Sequence, residues 1–188
     1  MKKELNLYDA NNDIDLINLR NLCKDKCFKF NSIFPSDKKS QQIVLDEIFE
    51  KHFDNININA PFWCDYGKNI FIGKNFYANH NLVILDGARV EIGDNVFIAP
   101  NCCISTAGHP VDYKTRNQGL EYALPITIGD NVWIGANVSI LPGVTIGSNV
   151  VIGAGSVVNK DISSNTVAVG VPCKVIKNLW EFNNTSFD

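Results

Sequence analysis

The stretch from residue 128 to residue 157 reads IGDNVW IGANVS ILPGVT IGSNVV IGAGSV when it is divided every six residues. Each block opens with Ile, and four of the five open with Ile-Gly. A helix repeats its apolar face every 3.6 residues and a simple strand every two, so neither accounts for a period of six. A short strand followed by a corner does, because Gly and Asn tolerate the backbone angles of a sharp turn. We therefore predict a parallel β-helix, in which three strands and three corners form each coil and the coils stack about 4.8 Å apart.

The period of six extends well beyond this stretch. It runs backwards through Ile104, Ile98 and Ile92, and, after two extra residues, through Ile84, Ala78 and Ile72. Between Ile104 and Ile128 it stops for about twenty residues, and it ends at Val158. We expect these apolar side chains inside the prism and the interruption outside it as a loop. An antiparallel sandwich, the alternative all-β fold, would need turns every 8–12 residues.

The N-terminal part of the chain carries a helical pattern instead. Between Asn11 and Phe30, apolar residues recur mostly at three-to-four spacing, which predicts an amphipathic helix. Its apolar members are Ile14, Leu16, Ile17, Leu19, Leu22 and Phe28. Ser36 or Asp37 is a suitable N-cap for a second helix. The apolar face of that helix comprises Val44, Leu45, Ile48 and Phe49.

Three regions follow from these patterns. We predict an N-terminal helical region over residues 1–54, which contributes to the acceptor site. A β-helix occupies residues 55–177, with the loop at about 105–125, and a tail covers 178–188.

Composition excludes several classes of partner. The chain has 188 residues, 45% of them hydrophobic, and a formal net charge of −3. Nucleic-acid binding usually needs a strongly basic surface. No apolar run reaches the roughly 18 residues of a membrane span, and the first residues lack the apolar stretch of a secretory signal. We therefore expect a cytoplasmic protein without a nucleic-acid or membrane partner.

Six cysteines are consistent with that compartment. Cys23 and Cys27 lie one helical turn apart, a spacing that suits a metal pair, but no His or second Cys pair lies near them in sequence to complete a tetrahedral site. Reduced cysteine behaves as a small apolar residue. The sequence therefore predicts buried free thiols and no required metal.

Together with the repeat, six motifs resemble those of the hexapeptide-repeat acyltransferases, and among these the maltose/galactoside O-acetyltransferase branch. The motifs are Tyr8-Asp9, Cys64-Asp65-Tyr66-Gly67, Asn75-Phe76-Tyr77-Ala78-Asn79, Gly108-His109-Pro110, Gly119-Leu120-Glu121-Tyr122 and Gly170-Val171-Pro172-Cys173-Lys174-Val175-Ile176. The resemblance implies a mainly β, left-handed parallel β-helix with an N-terminal helical pair and an extruded loop. It also implies a homotrimer with active sites where prisms meet, acetyl-CoA as co-substrate, and a sugar hydroxyl as acceptor, in maltose, glucose, a galactoside or a related glycan precursor.

His109 is the leading catalytic candidate. It lies where the repeat breaks, and functional residues concentrate in loops held on rigid scaffolds. A sugar hydroxyl needs a base near neutral pH, and imidazole is suited to that task. The resemblance implies that His109 deprotonates the acceptor as it attacks acetyl-CoA directly, without an acetyl-enzyme. It makes Glu121 a candidate to orient the imidazole, with a solvated loop carboxylate as the alternative.

The remaining site residues come from the resemblance. Asn79 would bind the acceptor or the transition-state oxyanion, with a coil-corner role as the alternative. Acceptor binding would also involve Asp9, Asp65 and Tyr77, and Gly87 stands where the galactoside enzyme has a carboxylate. The cofactor would contact Trp133, Ala154, Lys160, Lys174 and Lys177. Lysines suit phosphates, although a solvated face for them and a trimer contact for Trp133 stay open.

Three other functions fit parts of the sequence. A γ-type carbonic anhydrase needs three histidines on zinc, and of the three present His52 precedes the prism. A non-catalytic scaffold has no need for Gly108-His109 or the basic C-terminal residues. A xenobiotic or polysaccharide O-acetyltransferase remains the alternative, although such enzymes usually lack the helical region with Tyr8-Asp9.

Overall fold

The computed structural model describes residues 5–49, 51–52 and 56–179. Two helices, α1 (Ile14–Asn31) and α2 (Lys38–Ile48), precede the strands, and a short helix α3 (Tyr113–Arg116) lies in the long loop. The strands are β1 (Lys51–His52), β2 (Asn57–Ile58), β3 (Phe62–Cys64), β4 (Ile70–Ile72), β5 (Tyr77–Ala78), β6 (Leu82–Leu85), β7 (Val90–Ile92), β8 (Phe97–Ile98), β9 (Cys103–Ser105), β10 (Ala107–Gly108), β11 (Tyr122–Ala123), β12 (Ile126–Ile128), β13 (Val132–Ile134), β14 (Ser139–Ile140), β15 (Thr145–Ile146), β16 (Val150–Ile152), β17 (Val157–Val158), β18 (Thr166–Val169) and β19 (Lys174–Asn178). Among these residues no helix combines the length and apolar character needed to cross a bilayer.

Successive coils stack their strands into three sheets, which form the faces of the prism. The first face has the order β1-β4-β7-β12-β15, the second β2-β5-β8-β13-β16-β18-β19, and the third β3-β6-β9-β14-β17. All pairs within these faces are parallel except β18 with β19. The predicted mainly β class and left-handed parallel β-helix are confirmed.

The residues that keep the six-residue period form the core. From Ile72 to Val158, each is at most 4% exposed, as predicted. Full burial of one such side chain contributes about 1.5–3 kcal/mol, so the stack supplies most of the driving force for closing the prism. Ile58 and Cys64 are buried in the same columns. The period therefore begins one coil earlier than predicted.

Asparagine and glycine make the corners for different reasons. Eight asparagines have left-handed backbone angles, with φ between 56° and 63°. Their side chains form ladders: Asn75 Nδ2 donates to Asn95 Oδ1 at 3.0 Å, and Asn95 Nδ2 to Asn131 Oδ1 at 3.2 Å. The glycines of the Ile-Gly pairs do not supply such angles, because the described glycines with positive φ lie elsewhere. A Cβ on Gly93 would lie 2.3 Å from Asp130 Oδ1, so space is what requires glycine there.

All three interruptions of the period leave the prism at one corner, between the third face and the next first face. Ile72 follows Cys64 after eight positions instead of six, and so does Ile92 after Ile84. The long loop also leaves there, between β9 and β12, and folds back on itself through antiparallel pairing of β10 with β11. Extra residues therefore accumulate at one corner of three consecutive coils.

Both N-terminal helices start at aspartate caps. Asp13 Oδ1 accepts from the backbone N–H groups of Asp15 and Leu16, and Asp37 Oδ1 from that of Ser40, which settles the cap of α2. The predicted apolar face of α2 is confirmed, since Val44, Leu45, Ile48 and Phe49 are buried.

The predicted apolar face of α1 is wrong in part. Ile14, Leu22 and Phe28 are 67%, 55% and 66% exposed. The fully buried positions are Cys23, Cys27 and Phe30, which repeat at four and three residues and face β3. A helix against a flat sheet buries a single stripe, and here cysteine forms most of it.

Candidate active site

The corner that collects the insertions holds a cavity of about 350 Å³. Every inserted segment contributes to it, as do α1 and the N-terminal turn. Its lining residues are Ala10, Asn11, Arg20, Lys24, Asp65, Tyr66, Leu85, Gly87, Ser105, Ala107, His109 and Glu121. Of the residues predicted from the sequence, the cavity thus brings together Asp65, His109 and Glu121.

The ring of His109 is oriented by a backbone carbonyl. Its Nδ1 lies 3.0 Å from the carbonyl oxygen of Leu120, one residue before Glu121. A carbonyl only accepts, so Nδ1 carries the proton and Nε2 is the basic nitrogen. The β10–β11 pairing holds this loop, and a Cβ on Gly108 would lie 2.6 Å from the Tyr122 ring. Glycine before His109 therefore lets the two strands close.

An N-terminal strap fixes the other side of the loop. The backbone N–H of Tyr8 donates to the carbonyl of Glu121 at 2.9 Å, and that of Glu121 to the carbonyl of Tyr8 at 3.0 Å. The Tyr8 side chain crosses above Gly87, where a Cβ would lie 2.9 Å from its hydroxyl. Burial, followed by the neighbouring Glu121 carboxylate, raises the pKa of Tyr8, so its hydroxyl stays neutral at physiological pH.

Asp65 lines the cavity, and Asp86, which lies between the lining residues Leu85 and Gly87, supports it from the protein interior. Asp86 is fully buried, and its Oδ1 accepts from the backbone N–H groups of Asp65 and Tyr66 at 3.0 and 2.9 Å. Its Oδ2 has no hydrogen-bond partner within the described residues. Burial raises the pKa of Asp86 to about 6 and also raises that of Asp65, which Lys24 and Arg20 oppose.

Arg20 connects α1 to the cavity wall. Its Nη1 donates to the Tyr66 hydroxyl at 2.8 Å, and its Nη2 donates to the carbonyl of Ala10. Asp9 is used locally: its Oδ1 accepts from the backbone of Asn11 and Asn12 at 3.1 and 3.0 Å, and its Oδ2 from Asn12 Nδ2 at 2.8 Å. These bonds, led by the Asn12 side chain, lower the pKa of Asp9. Asp9 therefore shapes the turn whose residues Ala10 and Asn11 line the cavity.

Three other predicted residues do not line this cavity: Tyr77 and Trp133 lie on the second face, and Asn79 directly follows β5 of that face. Tyr77 aligns with Phe97 and Phe97 with Trp133, which forms a row of outward aromatic side chains. Phe97 and Trp133 are 50% and 56% exposed. The Tyr77 hydroxyl accepts from Asn59 Nδ2 at 2.9 Å, and Asn79 Oδ1 accepts from the backbone of His80 at 2.8 Å.

The other predicted cofactor residues lie in the C-terminal coils. Ala154 follows β16 and stacks closely on the coil below, because a Cβ on Gly135 would lie 2.6 Å from its nitrogen. Lys160 follows β17, and Lys174 and Lys177 are on β19; all three are exposed. Within a single chain, therefore, none of these residues lines the His109 cavity.

The sequence patterns did not indicate that Arg20, Lys24 and Ser105 line the cavity or that Asp86 supports its wall. One sequence feature could have indicated Asp86: it directly follows Leu85, at the point where the period of six gains two residues. The sequence patterns also did not indicate that Cys64 lies beside Cys23 and Cys27 in the fold.

Comparison with known proteins gives consistent matches over nearly the whole chain. Residues 125–160 match the model of the bacterial transferase hexapeptide (six repeats), and residues 6–52 that of the maltose acetyltransferase hexapeptide capping motif. A relative from Saccharomyces cerevisiae is 59% identical over 180 residues, which cover 96% of this chain and 92% of the relative. The crystal structure of a maltose O-acetyltransferase from Clostridium difficile superimposes with a TM-score of 0.91 at 50% identity, covering 93% of each chain. A galactoside acetyltransferase in complex with coenzyme A gives a TM-score of 0.92 at 46% identity, covering 97% of this chain and 90% of that one.

Proposed function

The chain belongs to the hexapeptide-repeat acetyltransferases, within the branch of the maltose and galactoside O-acetyltransferases, and we propose that it transfers the acetyl group of acetyl-CoA to a hydroxyl of a sugar. The family supports the acetyltransferase activity and the co-substrate, since a relative of high similarity is bound to coenzyme A. The acceptor and the roles of individual residues rest on the cavity. All six cysteines are free thiols, which supports the cytoplasmic location we propose.

The observation that carries the mechanism is the contact between His109 Nδ1 and the Leu120 carbonyl. It leaves Nε2 available to take the proton from the acceptor hydroxyl as the hydroxyl oxygen attacks the thioester carbon. The tetrahedral intermediate then collapses with cleavage of the C–S bond. The imidazolium returns the proton to the departing thiolate, so the products are the acetyl ester and coenzyme A. The protein forms no covalent intermediate in this scheme.

The cavity wall supports a polyhydroxylated acceptor. The Asp65 and Glu121 carboxylates accept hydrogen bonds from hydroxyl groups, and Arg20 and Asn11 donate to them. Lys24 and Arg20 oppose the effect of burial on Asp65, which favours its ionised, accepting form. A volume of about 350 Å³ accommodates one or two sugar rings.

The outer surface of the prism supports a homotrimer. The first face presents polar side chains such as Glu91, Thr127 and Thr145. The second face presents its aromatic row, and the third presents Trp63, which is 39% exposed. Two apolar faces on one prism suit a closed ring of three chains.

In that trimer the third face of one chain packs on the second face of the next. Asn79 of a neighbour then completes the site at His109, where its amide binds the acceptor or the oxyanion. The cofactor arm runs along the seam beside Trp133 and Ala154. Lys160, Lys174 and Lys177 bind the phosphates.

The test combines one variant with a panel of acceptors. We expect His109→Ala to lower turnover by about 10²–10⁴-fold, the usual effect of losing a general base, while coenzyme A affinity by calorimetry stays the same. Released thiol is measured with maltose, glucose, galactosides, nucleotide sugars and a hydroxylated xenobiotic. Full activity of the variant would remove His109 from the mechanism. Turnover of the xenobiotic but of no sugar would refute the sugar acceptor.

A further inference from the structure

Three cysteines from two distant segments meet, and one of them directly precedes Asp65, which lines the acceptor cavity. Cys23 and Cys27 lie one turn apart on the buried stripe of α1, and Cys64 ends β3, on which that stripe packs. Their Sγ atoms are 3.5 Å apart for Cys23 and Cys64 and 3.8 Å apart for Cys27 and Cys64, and all three lie within 4.8 Å of one another. Each residue is at most 4% exposed.

We propose that Cys23, Cys27 and Cys64 form a three-thiolate site for a thiophilic, closed-shell metal ion, either copper(I) or zinc(II). With two sides of 3.5 and 3.8 Å and a third below 4.8 Å, the point equidistant from the sulfurs lies at most roughly 2.4 Å from each. A zinc–thiolate bond is about 2.3 Å long. The sulfurs therefore already stand at coordination distance around a common centre.

The donor set narrows the choice of ion. Thiolates select soft ions and disfavour magnesium, calcium and manganese. A structural zinc ion takes four ligands, and the described residues place no fourth His, Cys or carboxylate ligand atom within the same range. Copper(I) accepts three sulfurs and is the ion we expect. Zinc(II) would need a water as fourth ligand.

In the single chain, before another subunit covers the third face, a neighbouring cavity offers room for that water and an entry route. It measures about 320 Å³ and is lined by Lys24, Trp63, Cys64, Asp65 and Leu85. Cys64 is the cluster member that reaches it. As each S–metal bond forms, the thiol releases its proton, and this route leads that proton to solvent.

The bound ion would fasten α1 to the prism. Cys64 directly precedes Asp65, and α1 also carries Arg20 and Lys24, so the ion would stiffen one wall of the acceptor cavity. It touches no reacting atom of the acetyl transfer. The site goes beyond the proposed function and is independent of it: His109→Ala should bind the ion as the unmodified protein does.

The experiment uses the full, reduced chain under anaerobic conditions. Copper(I) and zinc(II) are titrated separately in competition with a chromophoric chelator, and X-ray absorption counts the sulfur neighbours. We expect one ion per chain with three sulfurs at about 2.3 Å. Serine substitutions at Cys23, Cys27 or Cys64 should each lower affinity at least tenfold.

Cys102→Ser is the matched control. It also leaves five cysteines, and its hydroxyl can keep the bonds that Cys102 Sγ donates to the carbonyls of Ala99 and Gly135, both 3.2 Å. It should bind the ion unchanged. Circular dichroism and coenzyme A binding check that every variant folds.

Each outcome of these measurements either supports the three-thiolate site or overturns it. Three sulfurs alone on copper(I), or three sulfurs and one oxygen on zinc(II), support the site and identify its ion. Fewer than three sulfurs in the unmodified protein overturns it, even where a cluster variant fails to fold. Affinity that survives Cys64→Ser, or that Cys102→Ser weakens as much, overturns it as well.

Discussion

Asp86 is expected to make stability depend on pH, because its carboxylate is fully buried and one of its oxygens has no hydrogen-bond partner among the described residues. In Asp86→Asn, the amide oxygen can accept the same two bonds from the backbone of Asp65 and Tyr66. The substitution removes the charge and replaces the unpaired Oδ2 with an amide nitrogen, and the effect of that nitrogen on stability does not depend on pH. Any change in pH dependence therefore reports the cost of burying the ionised group.

The magnitude follows from the pKa of Asp86, which burial raises from 3.8 to about 6. The folded state binds this proton more tightly than the unfolded state, so stability from this group is highest below pH 3.8 and is lost as the pH rises through about 6. At 1.36 kcal/mol per pH unit, the loss between pH 4 and pH 8 is about 2–3 kcal/mol. In Asp86→Asn this loss is absent, so its stability relative to the unmodified protein should rise by that amount over the same interval.

The measurement is urea unfolding at pH 4 to 8 at one fixed protein concentration, since subunit association contributes to the apparent stability of an oligomer. Asp25→Asn makes the same change of charge on the exposed surface of α1 and controls for net charge. A stability difference between Asp86→Asn and the unmodified protein that stays constant with pH, or falls, would refute the buried-charge argument.

Three further predictions concern packing and assembly. Gly93→Ala should destabilise the prism by about 1–3 kcal/mol in urea unfolding, because the new Cβ meets Asp130 and the coil beneath it; an unchanged midpoint would contradict the spatial role of the Ile-Gly glycines. Gly87→Ala should raise KM for the sugar by displacing the Tyr8 hydroxyl, and adding Tyr8→Phe should bring KM part of the way back. A double variant whose KM is as high as that of Gly87→Ala would exclude Tyr8 as the cause. Trp133→Glu should dissociate the proposed trimer in analytical ultracentrifugation and abolish turnover while circular dichroism stays the same, and a trimeric, active variant would exclude the second face as a subunit contact.

The regular part of the fold was predictable because it repeats. One misplaced residue in a period of six would put an Ile on the surface, so the sequence carries the register many times over. The α1 face was not predictable in the same way, because it depends on which side of the helix meets β3. Ile14 and Phe28 fit an apolar stripe as well as Cys23 and Cys27 do, and only the docked helix distinguishes them.

The motifs indicated which residues to consider for the candidate site, but they did not indicate how those residues are arranged. The break in the period pointed to His109, yet the Leu120 carbonyl that orients its ring contributes no side-chain chemistry that a sequence can reveal. Cys64 was recognised as part of a motif without its relation to α1. Cys64 lies 41 positions from Cys23 and 37 from Cys27, and contacts over such distances leave no local pattern in the sequence.

The position of the cavity follows from the way a solenoid accepts insertions. A strand that gained residues would lose its register with the coils above and below, so additions survive only at corners. Here the inserted residues share one corner. Leu85 pairs with Ser105, and Asp65 directly follows Cys64, which pairs with Ile84. Because neighbouring coils stand about 4.8 Å apart, residues some twenty positions apart in sequence become lateral neighbours. Asp65, Gly87 and His109 thus come from three consecutive coils, and the spacing of the prism determines the spacing of the groups that face the acceptor.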